Sequence, residues 1–315
     1  MDSRALPRIL RIEGLIPFTL CAILIGFVVS LWEAGFKAAD WSLFFIAAVT
    51  AVLIHIDGHL WNDIMDLEID RREKSRETGR DRPLVYGWAT VREYRTISAI
   101  VISVIIVLAA YLTIYRVFIP LLVILGFFFD YGYNHPRLAL AHHPYTEWYI
   151  FPWLVVGVTV TVVYAATGII SMLAIILSLL HGMIVTCFVV SMMRRDVNSD
   201  RLGAKCTSSV LSPELPHSTR YGVITMFVAA LMIYPLDMVL GNLRLAYILV
   251  LATTITAGIN TVLGARIDQL CTRTLISPFS GFESDANTLM LKQVAVSISY
   301  AVVMCIMVVV FGGIL

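Results

Sequence analysis

Charge is what this sequence has least of. Only 14% of its 315 residues are Asp, Glu, Lys or Arg, well below the roughly 25% usual in soluble domains. With 59% hydrophobic residues and a mean hydropathy of +0.84, the chain is placed in a membrane, not in water. Cysteine is sparse as well. The five, Cys21, Cys187, Cys206, Cys271 and Cys305, form no CxxC pair, which gives no support to a disulfide framework or a zinc site. No polar linker, internal repeat or low-complexity tract divides the chain, so residues 1–315 are read as one domain. The segment carrying Arg4, Arg8 and Arg11 precedes an apolar run without a small-residue cleavage site. That run is expected to be a retained first span and not a removed signal peptide. The net charge of +1 says nothing about partners, and nucleic acid is not expected among them.

Apolar runs are what the chain has in quantity. A bilayer core takes about 20 apolar residues per helix, and nine stretches qualify, near 14–33, 41–61, 97–115, 117–131, 149–167, 170–193, 221–241, 244–264 and 293–313. The expected fold class is all-α, an integral membrane bundle of about nine transmembrane helices. Pro120 and Gly126 interrupt the fourth run, and only Thr167-Gly168 separates the fifth from the sixth. The N-terminus and the loops near 62–96, 130–148, 194–220 and 265–292 hold 20 of the 23 Lys and Arg residues. Lys37, Arg116 and Arg244 fall on the other side. By the positive-inside rule the N-terminus and the long polar loops are expected in the cytosol. The particular membrane is not specified by these features.

Two acidic stretches leave apolar runs on that side. In the first, Asn62, Asp66 and Asp70 are four apart, with Asp63 beside them and Arg71, Arg72, Lys74, Arg76, Arg80 and Arg82 following. If the segment stays helical, these three stack along one face. The second has Asp196 and Asp200, again four apart, followed by Arg201 and Lys205. Carboxylates gathered this closely repel by on the order of 4 kcal/mol per pair at 4 Å and an effective dielectric of 20, so a bound cation is implied. Hard oxygen donors without His or Cys at ligand spacing favour magnesium. Magnesium retains waters and takes substrate phosphates, which leaves the basic residues to phosphate oxygens. The ligand inferred is a diphosphate with an apolar remainder lying between helices in the lipid bilayer. Solvated helix caps and basic topology signals are the plainer accounts of the same residues.

These stretches resemble the motifs of the UbiA superfamily of intramembrane prenyltransferases. Asn62, Asp63, Asp66 and Asp70 match N/D-D-x-x-D-x-x-x-D, and Arg82, Pro83, Leu84 and Gly87 match the Arg-Pro-Leu and glycine that follow it. Asp196, Asp200, Arg201, Gly203, Lys205 and Thr207 match the second motif. The resemblance implies a nine-helix bundle whose two motifs coordinate magnesium and the diphosphate of an isoprenoid donor. Asn62, Asp66, Asp70, Asp196 and Asp200 would then be metal ligands, and Arg82, Arg201 and Lys205 phosphate contacts. The sequence departs from the pattern in four places. Arg80-Asp81 lengthens the spacing to Arg82, and Ser191-Met192-Met193 replaces an upstream tyrosine. The first helix lacks a Lys-Pro pair, and Tyr133-Asn134-His135-Pro136-Arg137-Leu138 is similar to a segment of relatives acting on other acceptors. These differences bear on the acceptor, aromatic or otherwise, and not on the magnesium site.

The same site serves two chemistries, prenyl transfer to an acceptor or cyclisation of the diphosphate as in UbiA-type terpene cyclases. A transporter is a third class, but it would need polar residues in several spans and repeat symmetry. His55, Asp57 and His59 lie inside the second run, where an ionisable residue is either functional or part of a buried structural pair. Phe127, Phe128, Phe129, Tyr131 and Tyr133 are candidates to face an allylic cation, or else pack or meet lipid. Asp130 and Glu147 are candidates to bind or deprotonate an acceptor, or else belong to a solvated loop.

Overall fold

A computed structural model of the chain describes residues 2–3, 5–11, 14–72, 82–135, 138, 140–202, 206–276 and 282–313. Its principal helices are α1 (Ala5–Ile9), α2 (Leu15–Ala38), α3 (Trp41–Met65), α4 (Leu67–Arg72), α5 (Val91–Tyr115), α6 (Ile119–Asn134) and α7 (Thr146–Thr167). They continue with α8 (Met172–Arg195), α9 (Val197–Leu202), α10 (Ser208–Leu211), α11 (His217–Leu231), α12 (Ile233–Leu240), α13 (Leu243–Ile276) and α14 (Phe282–Phe311). Every apolar run coincides with a helix. Among the described residues, seven helices are individually long and apolar enough to cross a membrane. The pair α11–α12, bent by 42°, makes an eighth if counted as one span, and α6 is a shorter apolar helix.

Local chemistry sets the boundaries. The Asp40 side chain accepts from the Leu43 N–H to start α3, and Ser171 does the same for Ala174 in α8. Thr90 and Glu93 form a reciprocal capping box at α5. Gly168, at φ 75°, ends α7. Pro120 lies in the first turn of α6, where its missing N–H has no intrahelical partner to lose. It starts the fourth span instead of interrupting it.

The core is organised on α8, which is buried along nearly its whole length. Leu173, Leu177, Leu180 and Ile184 of α8 meet Val29, Val163, Leu245 and Leu249 from α2, α7 and α13. Gly182 lets α8 close on α7: a Cβ there would lie 2.8 Å from the Pro152 backbone. A second cluster joins Phe44 and Ala47 of α3 to Ile105, Ile119 and Ala165. The outward faces are equally apolar, with Ile106, Val107 and Ile114 exposed by 61%, 67% and 75%. In water each such side chain would forfeit on the order of 1.5–3 kcal/mol of burial, whereas lipid satisfies them. The chain is a multi-pass membrane protein.

Candidate functional site

Both acidic stretches are built the same way. The helix does not run straight through either of them, contrary to the continuous stripe expected from the spacing. α3 ends at Asp66 (φ −85°, ψ 1°) and restarts as α4, and α8 ends at Asp196 (φ −88°, ψ 13°) and restarts as α9. The four-residue register survives the break. Asp66 N–H donates to Asn62 at 2.9 Å and Asp70 N–H to Asp66 at 2.8 Å; Asp200 N–H likewise reaches Asp196 at 2.9 Å. Each middle acid therefore sits at a hinge between a spanning helix and a short one.

The first stretch is tied together by arginines. Asp63 is buried; its Oδ1 accepts from Arg82 Nη1 at 2.8 Å and from Arg11 Nη2, and its Oδ2 from the Tyr94 hydroxyl at 3.4 Å. Arg82 also reaches Asp70 Oδ2 at 3.1 Å. The Asn62 amide donates to Asp66 Oδ2 at 3.2 Å, while its Oδ1 accepts from Arg11 at 3.3 Å. Burial pushes the Asp70 carboxyl up to about 6; Arg82 pulls it down, and Asp66 and Asp63 add to the rise. Burial works against the charge on Arg82, but Asp63, Asp70 and Asp66 outweigh it and raise its pKa.

In the second stretch Arg195 holds both oxygens of Asp196, at 2.6 and 2.7 Å, and reaches Asn287 at 2.5 Å. The Thr207 hydroxyl lies 3.5 Å from Asp200 Oδ2. Arg201 is exposed. Lys205 and Gly203 lie outside the described residues, as do Lys74, Arg76 and Arg80. Tyr133 is within electrostatic reach of both Asp66 and Asp200.

At the polar end, Arg11 is a site residue that sequence reasoning passed over. It holds Asn62 and Asp63 from a left-handed backbone conformation, φ 40°, unusual for a residue with a side chain and often found where function requires it. In the sequence it is one of several basic residues before a span, and nothing sets it apart from a topology signal.

Beneath this polar end lies a cavity of about 450 Å³. Arg8, Arg11, Asp63 and Arg82 line one part of it, and Phe18, Ile54, Phe129, Phe151 and Phe188 line much of the rest. Of the aromatics named from sequence, Phe129 faces the cavity, whereas Phe128 is 46% exposed on the outer surface. Phe127 packs on Tyr131, Tyr131 on Trp61, and Tyr133 on Phe151. Phe18 and Phe151 had no distinguishing pattern in sequence. His55, His59 and Asp130 also line the cavity. Asp57 is fully buried and takes the Tyr131 hydroxyl, a structural pairing. Glu147 is buried too, accepting from Ser208 N–H at 2.8 Å at the start of α10. It supports a loop and is not part of the cavity lining.

The donor set suits a hard divalent cation in kind. Among the described residues no three His, Cys, Asp or Glu side chains converge into a metal-holding group. Magnesium does not require one, since it keeps waters and takes one or two carboxylates together with substrate phosphates. Asn62, Asp66, Asp70, Asp196 and Asp200 carry such oxygens, those of Asp196 being paired with Arg195 until a cation competes for them.

A sequence model of the UbiA prenyltransferase family matches residues 23–275. The digeranylgeranylglyceryl phosphate synthase of Sulfurisphaera tokodaii is 29% identical over 109 residues, a stretch covering 33% of this chain and 37% of that one. A UbiA homologue from Aeropyrum pernix superposes with TM-score 0.57 at 18% identity, covering 91% of this chain and 98% of its own. One from Archaeoglobus fulgidus, bound to GPP and magnesium, gives 0.57 at 14% identity, covering 94% and 98%. The structural likeness concerns the fold, and the family match takes in both acidic stretches. The chain belongs to the UbiA prenyltransferase family.

Proposed function

We propose that this protein is a magnesium-dependent intramembrane prenyltransferase, a single UbiA-like domain over residues 1–315 with its active site facing the cytosol. It ionises an isoprenyl diphosphate and passes the prenyl group to an aromatic or other apolar acceptor. The observation that carries this reading is the contiguity of an arginine-and-carboxylate end with an apolar cavity of about 450 Å³. The relatives lend support: one is named as a digeranylgeranylglyceryl phosphate synthase, and another was solved with GPP and magnesium.

In this account Asn62, Asp66, Asp70, Asp196 and Asp200 hold magnesium, which when bound neutralises charge on the departing diphosphate. Arg82, Arg201 and Lys205 contact phosphate oxygens, and Arg11 joins them. Asp63 orients Arg11 and Arg82, because both guanidiniums meet on its Oδ1. Preoriented donors of this kind stabilise charge as it develops without reorganising. Phe129 and Phe151 exclude water from the allylic cation and offer it their faces, a contact worth about 2 kcal/mol when desolvated.

The test is product analysis with purified protein, magnesium and a series of prenyl diphosphates, with and without acceptors. Magnesium-dependent diphosphate release together with a prenylated acceptor is expected. A cyclic hydrocarbon or alcohol formed from the donor alone would replace transfer by cyclisation, and absence of release under all conditions would remove the enzyme reading.

A further inference from the structure

We propose that His59 is the catalytic base on the acceptor side, that His55 positions it, and that the acceptor presents a hydroxyl as its nucleophile. The inference rests on the prenyl-transfer reading above. His55 and His59 are one turn apart on α3, with ring centroids 4.5 Å apart and their Nε2 atoms 3.1 Å apart. Two N–H groups cannot face each other at that distance, so one ring donates and the other accepts. Arg11 decides which. Its Nη1 lies 3.4 Å from His59 Nδ1, and a guanidinium only donates. His59 Nδ1 therefore carries a lone pair, and its proton is on Nε2, directed at His55. His55 then bears its proton on Nδ1, 2.9 Å from Thr19 Oγ1. Both rings are neutral in this assignment, which follows from the hydrogen-bond partners.

Other histidines of the chain show what a structural role looks like here. His181 Nε2 is bonded at 2.8 Å to the Pro17 carbonyl, and His217 Nε2 at 2.8 Å to the Ser212 carbonyl. The His55–His59 bonds instead run between side chains along the cavity wall. Thr19, His55, His59 and Arg11 all line the cavity, and Arg11 is the residue held at φ 40°. Among the described residues, the charged groups lining the same cavity are Arg8, Arg11, Arg82, Asp63 and Asp130.

The longest contact in the series is the one from Arg11 to His59 Nδ1, and the other terminal nitrogen of Arg11 stays on Asp63. An entering O–H displaces that weak contact and meets the lone pair next to the diphosphate end. The acceptor oxygen forms a bond to the donor's C1 as the C1–O bond to diphosphate breaks, with diphosphate taking the bonding pair. The oxygen's proton passes to His59 Nδ1. The resulting imidazolium donates through Nε2–H to His55, the arrangement by which a third group orients a base. A neutral hydroxyl needs the base that this pair supplies, and Asp63 and Asp130 in the same lining offset the charge that the proton brings.

The experiment uses full-length protein with geranylgeranyl diphosphate, magnesium, and either a long-chain primary alcohol or a para-alkyl phenol, scoring ether product and diphosphate separately. His59→Gln is expected to lower kcat for ether formation by about 100-fold or more, with the donor KM within about twofold. His55→Phe should lower it by roughly tenfold, and His55→Gln, whose amide oxygen still accepts from Nε2–H, should recover most of that loss. A donor KM preserved in each variant shows that the fold and the diphosphate end are intact. A wild-type protein that releases no diphosphate contradicts prenyl transfer itself. A wild type that makes ether while His59→Gln stays within about twofold of it overturns this inference alone. So does a wild type that prenylates only carbon or cyclises the donor.

Discussion

Removing the Arg82 guanidinium is the perturbation whose cost the structure specifies most fully. Arg82 Nη1 lies 2.8 Å from Asp63 Oδ1 and 3.1 Å from Asp70 Oδ2, with the three side chains 26%, 5% and 11% exposed. At an effective dielectric of 20, each contact is worth on the order of 5 kcal/mol of gross attraction. Desolvation of all three groups and the partial exposure of Arg82 offset much of that. Breaking a buried pair by removing one partner typically costs 3–5 kcal/mol, and the exposed edge of Arg82 places Arg82→Ala near the bottom of that range, about 3 kcal/mol. The loss is expected to depend on pH. Asp70 titrates at about 6 in the folded protein, so its attraction to Arg82 is present above that pH and fades as the carboxyl protonates below it. Thermal unfolding of wild type and Arg82→Ala in detergent, followed from pH 8 to pH 5, is the assay. The destabilisation should be largest at pH 8 and shrink through pH 6. A loss that is independent of pH, or smaller than about 0.5 kcal/mol throughout, is that of an exposed pair and refutes the reasoning.

Other outcomes follow from the same geometry. Because the folded-state pKa of Asp70 is raised to about 6, its ionised form opposes folding above that pH; the unfolded chain pays no such penalty. Asp70→Asn should therefore stabilise the protein at pH 8 by on the order of 1–3 kcal/mol while lowering activity, as measured by thermal unfolding and diphosphate release side by side. Arg11→Gln removes a cation from Asp63 and Asn62 and should raise the donor KM about tenfold or more, for loss of one charge-assisted contact; an unchanged donor KM would exclude Arg11 from the diphosphate end. Gly182→Ala places a Cβ 2.8 Å from the Pro152 backbone and should cost roughly 1–3 kcal/mol through overpacking, read as a lowered unfolding temperature.

The spans were legible because hydropathy is an average over about 20 residues, and averages survive local detail. Each apolar run became a helix, and the boundary at Thr167-Gly168 was marked by a glycine at positive φ. The acidic residues were legible through spacing, since the i, i+4 register holds across both hinges. The hinges themselves were not. Asp66 and Asp196 leave helical geometry by only a few tens of degrees in ψ, a tertiary adjustment with no local signature such as Gly or Pro. The reach of Arg11 across 52 residues to Asp63 depends on how α1 and α2 meet α3, which no linear pattern records. Glu147 shows the opposite case: its position in a loop invited a role in acceptor chemistry, but the fold spends it on the start of α10.

The central claim is that the two acidic stretches act together on one diphosphate. Magnesium-dependent diphosphate release from a prenyl diphosphate, measured for wild type, Asp66→Ala and Asp196→Ala with unfolding temperatures in parallel, tests it most directly. The account predicts release by the wild type and its abolition in each variant, with both variants still folded in the membrane. Near-normal turnover in either variant would contradict it.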